Sequence, residues 1–349
     1  MDLLILVGSF PIILAGAELF TNGIEWFGHK LGLAEGAVGS VLAAVGTALP
    51  ETMIPIIAIL FASQAHSDDI GVGAILGAPF MLATLAMFVT GVAVVVQARR
   101  RVAGDVMPVD PKVLGADMRT FVITYGLAIA AAVVLPAEPT WPKLLVAIVL
   151  IVVYAWYVKG HFEADPTVDA GDLTPLRFHR FDDHRTVASD GAPRLRVINL
   201  QVVVALGLIV LGAIEFVDAV GHLALSLGVS EVLLALVIAP IATELPEKFN
   251  SIIWIRQGKD TLAMGNITGA MVFQSAIPTS VALVFAPESW VAGPGSYLAF
   301  TSAVIAFLAS GAIFLPMARS GRLRGRGLLV GGAFYVAYLA IVGVGVAAS

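Results

Sequence analysis

The sequence predicts an all-α integral membrane protein of about ten transmembrane helices, arranged as two inverted five-helix repeats. Three observations carry that reading. Charge is scarce: of 349 residues, 58% are hydrophobic and 13% charged, at a mean hydropathy of +0.93, whereas soluble domains carry about 25% charged residues. Five stretches, 70–98, 197–214, 261–287, 289–318 and 327–349, hold no charge at all, and each reaches the roughly 18 apolar residues that read as a spanning helix. Finally, a segment of the first half recurs in the second. Continuous apolarity rather than alternation favours helices over a barrel, because helices satisfy their own backbone groups in hydrocarbon. Soluble-enzyme and nucleic-acid-binding classes are excluded on this ground.

Taken in order, the predicted segments span about 3–28, 34–62, 70–97, 120–137, 142–159, 197–226, 230–255, 261–287, 295–317 and 327–348. Alternate connections carry Lys30, then Arg99 to Arg101 with Lys112 and Arg119, then the 159–196 loop, then Arg256 and Lys259, then Arg319 to Arg326; together they hold eighteen of the twenty Lys and Arg residues. The positive-inside rule puts these loops in the cytoplasm and both termini outside. The start Met1-Asp2 lacks the basic region of a cleaved signal, so the first helix is expected to be retained, and a bacterial inner (plasma) membrane is the expected location. Trp26, Trp141, Trp156, Trp254 and Trp290 fall near predicted helix ends, where indoles favour the interface, and His29 and His222 are expected there too. The polar 161–195 loop, with His179, Arg180, Asp182, Asp183 and His184, reads as a solvated mobile connection, too short for a core of its own.

The repeat aligns Gly16–Glu51 with Gly212–Glu247 without a gap, 12 of 36 positions being identical, and ends in Thr47, Leu49, Pro50, Glu51 against Thr243, Leu245, Pro246, Glu247. A shorter match pairs GAILGA at Gly73–Ala78 with GNITGA at Gly265–Ala270. Five helices separate the copies, so they run oppositely across the membrane, the arrangement that puts a transporter's site at the midplane. The chain divides accordingly into 1–160, the 161–195 loop, and 196–349. Pro50 and Pro246 each remove a backbone donor inside a span, leaving carbonyls free to hold a cation. Glu51 and Glu247 sit beside these breaks, where an ionised carboxylate costs on the order of 3 kcal/mol and marks a functional position.

With TALPE, TELPE and GNITG, the sequence resembles the cation/calcium exchanger superfamily, the sodium/calcium exchangers in particular. That family carries G-T-S-L-P-E in helices 2 and 7 and a G-N-x-x-G-S-N-x-x-N type motif in helices 3 and 8. The resemblance covers both repeats, about 16–84 and 212–276. It implies a secondary active antiporter, not an enzyme, that moves calcium or another divalent cation against sodium or protons without a cofactor. Its partners are inorganic cations and the bilayer, not nucleic acid. Glu51 and Glu247 would be the principal ligands, Thr47 and Thr243 would add backbone oxygens and Asn266 a side-chain carbonyl, while helices 1 and 6 slide to alternate access.

The departures are specific. Ala48, Glu244, Ala78 and Ala270 replace motif serines; Ala74, Pro79 and Leu82 stand at amide or acid positions, against Asn266, Met271 and Gln274 in the second half. Calcium takes six to eight oxygens, so waters or other helices must contribute, and protons become a reasonable coupling ion. Glu244 and Lys248 have the i, i+4 order of an intrahelical pair; alternatively Lys248 is a tethered cation in the cavity. Met271 is either packing or the mark of a softer, manganese-like ion. Glu18 and Glu215, with Asn22 and Asp218, could line an ion path or bond neighbouring helices. A rival reading is a non-transporting membrane scaffold that keeps the exchanger fold.

Overall fold

A computed structural model describes residues 2–34, 36–48, 51–52, 55–56, 59–60, 67–163, 173–181, 193–226, 245–293 and 296–348. Helix α1 spans Asp2–Lys30. Helix α2 is Ala37–Thr47, π-helical over Ala37–Ala43 before an ordinary turn at Ala44–Thr47. Residues 51–52, 55–56 and 59–60 are again helical. Helix α3 runs over Ser67–Met81 and continues through a π-helical turn, Leu82–Ala86, into Met87–Gln97. There follow α4 (Pro111–Val134), α5 (Trp141–Phe162), α6 (Leu195–Ser226), α7 (Leu245–Gln257), α8 (Asp260–Phe285), α9 (Tyr297–Ser320) and α10 (Val330–Ala348). Among the described residues, eight helices are long and apolar enough to cross a membrane. The other two predicted spans, 34–62 and 230–255, fall partly outside the described residues.

Helix α4 starts nine residues earlier than predicted. Asp110 holds an extended backbone and its side chain accepts from Lys112 N at 2.7 Å, with Pro111 in the first turn; an acidic N-cap followed by proline is a strong helix start. Lys112 and Arg119 therefore lie on a helix rather than in a loop, and Asp117 becomes part of a buried turn.

The basic connections share one end of the bundle. Strand β1 (Val106–Met107), between α3 and α4, pairs antiparallel with strand β2 (Leu323–Arg324), between α9 and α10. Arg101 reaches Asp260 at 2.5 Å and donates to Ile255 O at 3.0 Å, which ties the end of α3 to the α7–α8 turn. Lys259 in that turn meets Glu25 of α1 at 2.5 Å. Trp254 Nε1 donates to Glu25 at 2.7 Å and Trp290 Nε1 to Ala128 O at 3.0 Å, and both indoles are fully buried. These two tryptophans thus depart from the predicted interfacial role: each spends its single N–H on a buried acceptor.

The 161–195 loop is solvated as expected at Thr174, Pro175, Arg177, His179 and Arg180. It is nonetheless anchored, since residues 173–181 dock against α1 and α6. Asn22 Nδ2 and Trp26 Nε1 donate to Thr174 O at 3.2 and 2.8 Å, Gln201 Oε1 accepts from Phe178 N at 2.8 Å, and Leu176 is buried between the helices. Asp182, Asp183 and His184 lie outside the described residues.

Two packing features position the site. Helix α8 is the central post, with 83% of its apolar window buried, against 22% for α5. Helices α1 and α6 pack closely together through glycine. A Cβ on Gly16 would lie 2.9 Å from Ile209 Cγ1, and one on Gly212 would lie 2.7 Å from Ile13 Cγ1. The two contacts are equivalent under the repeat, since Gly16 and Gly212, like Ile13 and Ile209, are 196 positions apart in the sequence.

Candidate cation site

The site is built where α2 ends. Gly46 lets Phe20 of α1 lie against the last turn, since a Cβ there would sit 2.7 Å from the ring. Thr47, fully buried, donates its hydroxyl to Ala43 O at 3.0 Å and approaches Asn266 Oδ1 at 3.1 Å, joining α2 to α8 across 219 residues of sequence. Asn266 extends toward Ser251 Oγ at 3.5 Å, and Ser251 donates to Ala263 O at 3.1 Å. Beyond Leu49 and Pro50, which lie outside the described residues, the chain is helical again at Glu51 and Thr52. Thr52 donates to Ala48 O at 2.7 Å and accepts from Gln274 Nε2 at 3.1 Å. The Glu51 carboxylate oxygens are shielded from solvent.

Of the predicted residues, Thr47, Glu51, Asn266 and Gln274 gather along this α2–α8 seam. Glu247 lies in the first turn of α7, its side chain outside the described residues; Thr243 and Glu244 lie outside them altogether, as does the Glu244–Lys248 pairing. Lys248 is buried on α7. Met271 is fully buried in the apolar core, which supports packing rather than ligation. Glu18 does not line the site: it is exposed and meets Arg177 at 2.7 Å. Glu215 is exposed on α6 as well, and Asp218 lies on the same helix with its side chain outside the described residues. Asn22 is used by the docked loop, holding Thr174, Arg177 N and Gln201. The lost serines at Ala48 and Ala270 are replaced by fully buried apolar methyls.

Several polar groups here carry no signal in the repeat. Thr21 Oγ1 donates to Asn250 Oδ1 at 2.8 Å, joining α1 to α7 one turn past Glu247. Asn250 and Ser251 align with Ile54 and Pro55, so symmetry points away from them. The GNITG glycines have a steric purpose. A Cβ on Gly265 would lie 2.7 Å from Ser40 Oγ, and one on Gly269 would overlap the Ser40 carbonyl, so the π-helical part of α2 crosses α8 in direct backbone contact.

Buried oxygens thus gather where α2 ends, inside a bundle of helices long and apolar enough to cross a membrane. The chain belongs to the sodium/calcium exchanger protein family, a family of membrane cation antiporters, whose model matches residues 1–160 and 198–344. Its fold is similar to that of the sodium-calcium exchanger NCX_Mj. One structure of that protein, soaked with sodium and calcium ions, superposes with a TM-score of 0.70 at 15% identity over 97% of each chain. Another, soaked with sodium and strontium ions, gives 0.69 at 16% identity over 97% of each chain. Among sequence relatives, the uncharacterized membrane protein MJ0091 of Methanocaldococcus jannaschii is 22% identical over 262 residues, 74% of this chain and 73% of that one. CaxA of Alkalimonas amylolytica, a candidate antiporter, is 35% identical over 100 residues, 28% of this chain and 29% of its own.

Proposed function

We propose that the chain carries calcium, or a divalent cation of similar hardness, in exchange for sodium or protons, and that the ion binds between two inverted repeats, 1–160 and 196–349. The observation that carries this reading is the Thr47–Asn266 contact, which joins the end of α2 to the central helix four residues before Glu51, whose carboxylate oxygens are shielded from solvent. Hard oxygens of this kind suit calcium over a softer metal, and the buried, apolar surroundings of Met271 agree. Glu247 would complete the pair of acids from α7, with Thr243 opposite Thr47. The missing serine hydroxyls favour protons as the counter-ion, since two carboxylates sharing one site cannot both stay ionised without a cation between them.

The reciprocal contacts of Gly16 and Gly212 support the inverted arrangement, and the shared end of the basic loops supports a cytoplasmic face there, with both termini outside a bacterial inner membrane. The test is calcium uptake into proteoliposomes driven by an outward sodium or an outward proton gradient. The reading expects one gradient to drive uptake and Glu51→Gln or Glu247→Gln to abolish it. Flux that is absent under both gradients would leave the scaffold reading standing.

A further inference from the structure

Ser40, which the α8 glycines admit, is one of four side chains that converge on a carboxylate the cation site does not use. Asp117 on α4 is fully buried. Its Oδ2 accepts from Ser40 Oγ at 2.8 Å and from Thr268 Oγ1 at 2.5 Å, and its Oδ1 accepts from Tyr157 OH at 2.9 Å. His161 Nε2 lies 3.2 Å from the same Oδ1, close enough for an ion pair though oblique for a hydrogen bond. The groups come from α2, α4, α5 and α8, so the cluster is a junction of the whole core.

Counting hydrogens shows what this junction lacks. Thr268 sits between Asp117 and Met264 O at 2.9 Å, and Tyr157 between Asp117 and Ser40 O at 3.2 Å; each hydroxyl has one hydrogen for two acceptors. The imidazole is in the same position, with Nδ1 3.1 Å from Tyr157 O and Nε2 against the carboxylate. A neutral ring can donate at only one nitrogen, which leaves a lone pair facing an acceptor at the other. One added proton, making either imidazolium beside carboxylate or imidazole beside carboxylic acid, removes that conflict.

We propose that Asp117 and His161 together form a proton-binding site, coupled to the cation site through α8. The coupling route is short. Thr268, which holds Asp117, and Asn266, which holds Thr47, are two residues apart, so they leave α8 on nearly opposite sides and make the helix the shared wall of both sites. Among the described residues, the titratable group in contact with the pair is Tyr157 on α5, its ring 4.4 Å from the imidazole, and Tyr154 lies behind it, 5.9 Å from the Tyr157 ring. Helix α8 faces it with Thr268, and the π-helical part of α2 with Ser40 and with Gly36, whose absent side chain leaves room for the imidazole edge. Lys159 and Glu163 pair with each other at the surface, and Arg119 turns back to Gly115 O.

The coupling rests on the antiporter reading, whereas the proton site rests on the pair's own geometry. The experiment therefore reads the proton directly. Full-length chain with ring-labelled histidine, in lipid nanodiscs, is titrated by NMR with and without saturating calcium, and the His161 signal among the six histidines is identified by its loss in His161→Gln. The expected result is titration between about pH 5 and 9, with a midpoint that calcium moves by at least about threefold in proton affinity, half a pH unit. Asp117→Asn is expected to abolish the calcium-dependent shift. Since that change disturbs a buried junction, Tyr157→Phe serves as a second variant: it removes one donor from the carboxylate and keeps the charge, so proton affinity should rise. A His161 signal that never titrates in this range, or a midpoint unmoved in Tyr157→Phe, overturns the proton site. A midpoint indifferent to calcium that demonstrably binds overturns the coupling, whereas failure of calcium to bind at all counts against the antiporter reading and leaves the titration to judge the pair.

Discussion

After the TALPE and TELPE motifs, α3 and α8 carry the same GxxxGA frame, and the two copies are used differently. Gly265 and Gly269 press against Ser40, and Asn266 beside them is buried and bonded to Thr47. Gly73 and Gly77 meet nothing among the described residues within 4 Å, and Ala74, in the place of Asn266, is exposed. Further along, α8 offers Thr268, Gln274 and Ser275, each hydrogen bonded to another helix, whereas α3 offers Pro79 and Leu82. The polar groups collect on the helix that is enclosed on every side. There a polar side chain always finds a partner, whereas one facing lipid would stand unsatisfied. A repeat can therefore keep its proline and its acid in both halves while, among the described residues, the second copy of the GxxxGA frame carries more of the bonded polar groups.

The largest expected effect is that of Glu51→Gln, which keeps the volume and removes the charge. Losing a charge-assisted ligand is worth about 1.5–3 kcal/mol, so cation affinity in a filter-binding assay should fall by about 10- to 100-fold. The asymmetry between halves is broken most cleanly with methyl groups. Gly269→Ala forces α2 off α8 and should cost about 1–3 kcal/mol of stability, visible as a Tm several degrees lower, whereas Gly77→Ala should melt like wild type. An equal loss at Gly77 would mean that α3 makes a matching crossing. Next comes Asn266→Ala against Ala74→Ser: the first should weaken cation binding by about 5- to 30-fold through the loss of about 1–2 kcal/mol, and the second should leave it unchanged. The smallest effect is expected of Gln274→Leu, which strands the Thr52 hydroxyl of one hydrogen bond and should cost about 1 kcal/mol in a thermal melt with little change in flux.

Much of the framework was legible in the sequence because the bilayer imposes strong rules. Length without charge marks the spans, and alternation of Lys and Arg marks the end at which Arg101, Lys259 and the β1–β2 pairing meet. Pro50 and Glu51 drew attention because proline and a buried acid are costly enough to recur for a reason, whereas Asn266, which the fold sets against Thr47, was implied only by the family resemblance. The start of α4 was legible too, in Asp110-Pro111, but hydropathy overrode capping, and with it Asp117 was read as a loop residue. His161 was read as part of the 161–195 loop, and only the fold reveals that it belongs to α5 and that Asp117, 44 positions earlier, closes on it. Trp254 and Trp290 misled because an indole near a helix end suits the interface equally well as a buried acceptor, and the partners, Glu25 and Ala128 O, are distant in sequence. Thr21 with Asn250, and the docking of residues 173–181, arise from tertiary proximity with no periodic trace.

On the proposed function, one divalent cation is held where α2 ends against α8. Calcium binding to the purified full chain, measured by titration calorimetry for wild type, Glu51→Gln and Asn266→Ala, tests it most directly. A single saturable site is expected in wild type, weakened most in Glu51→Gln and less in Asn266→Ala. Binding of equal strength in all three proteins would contradict it.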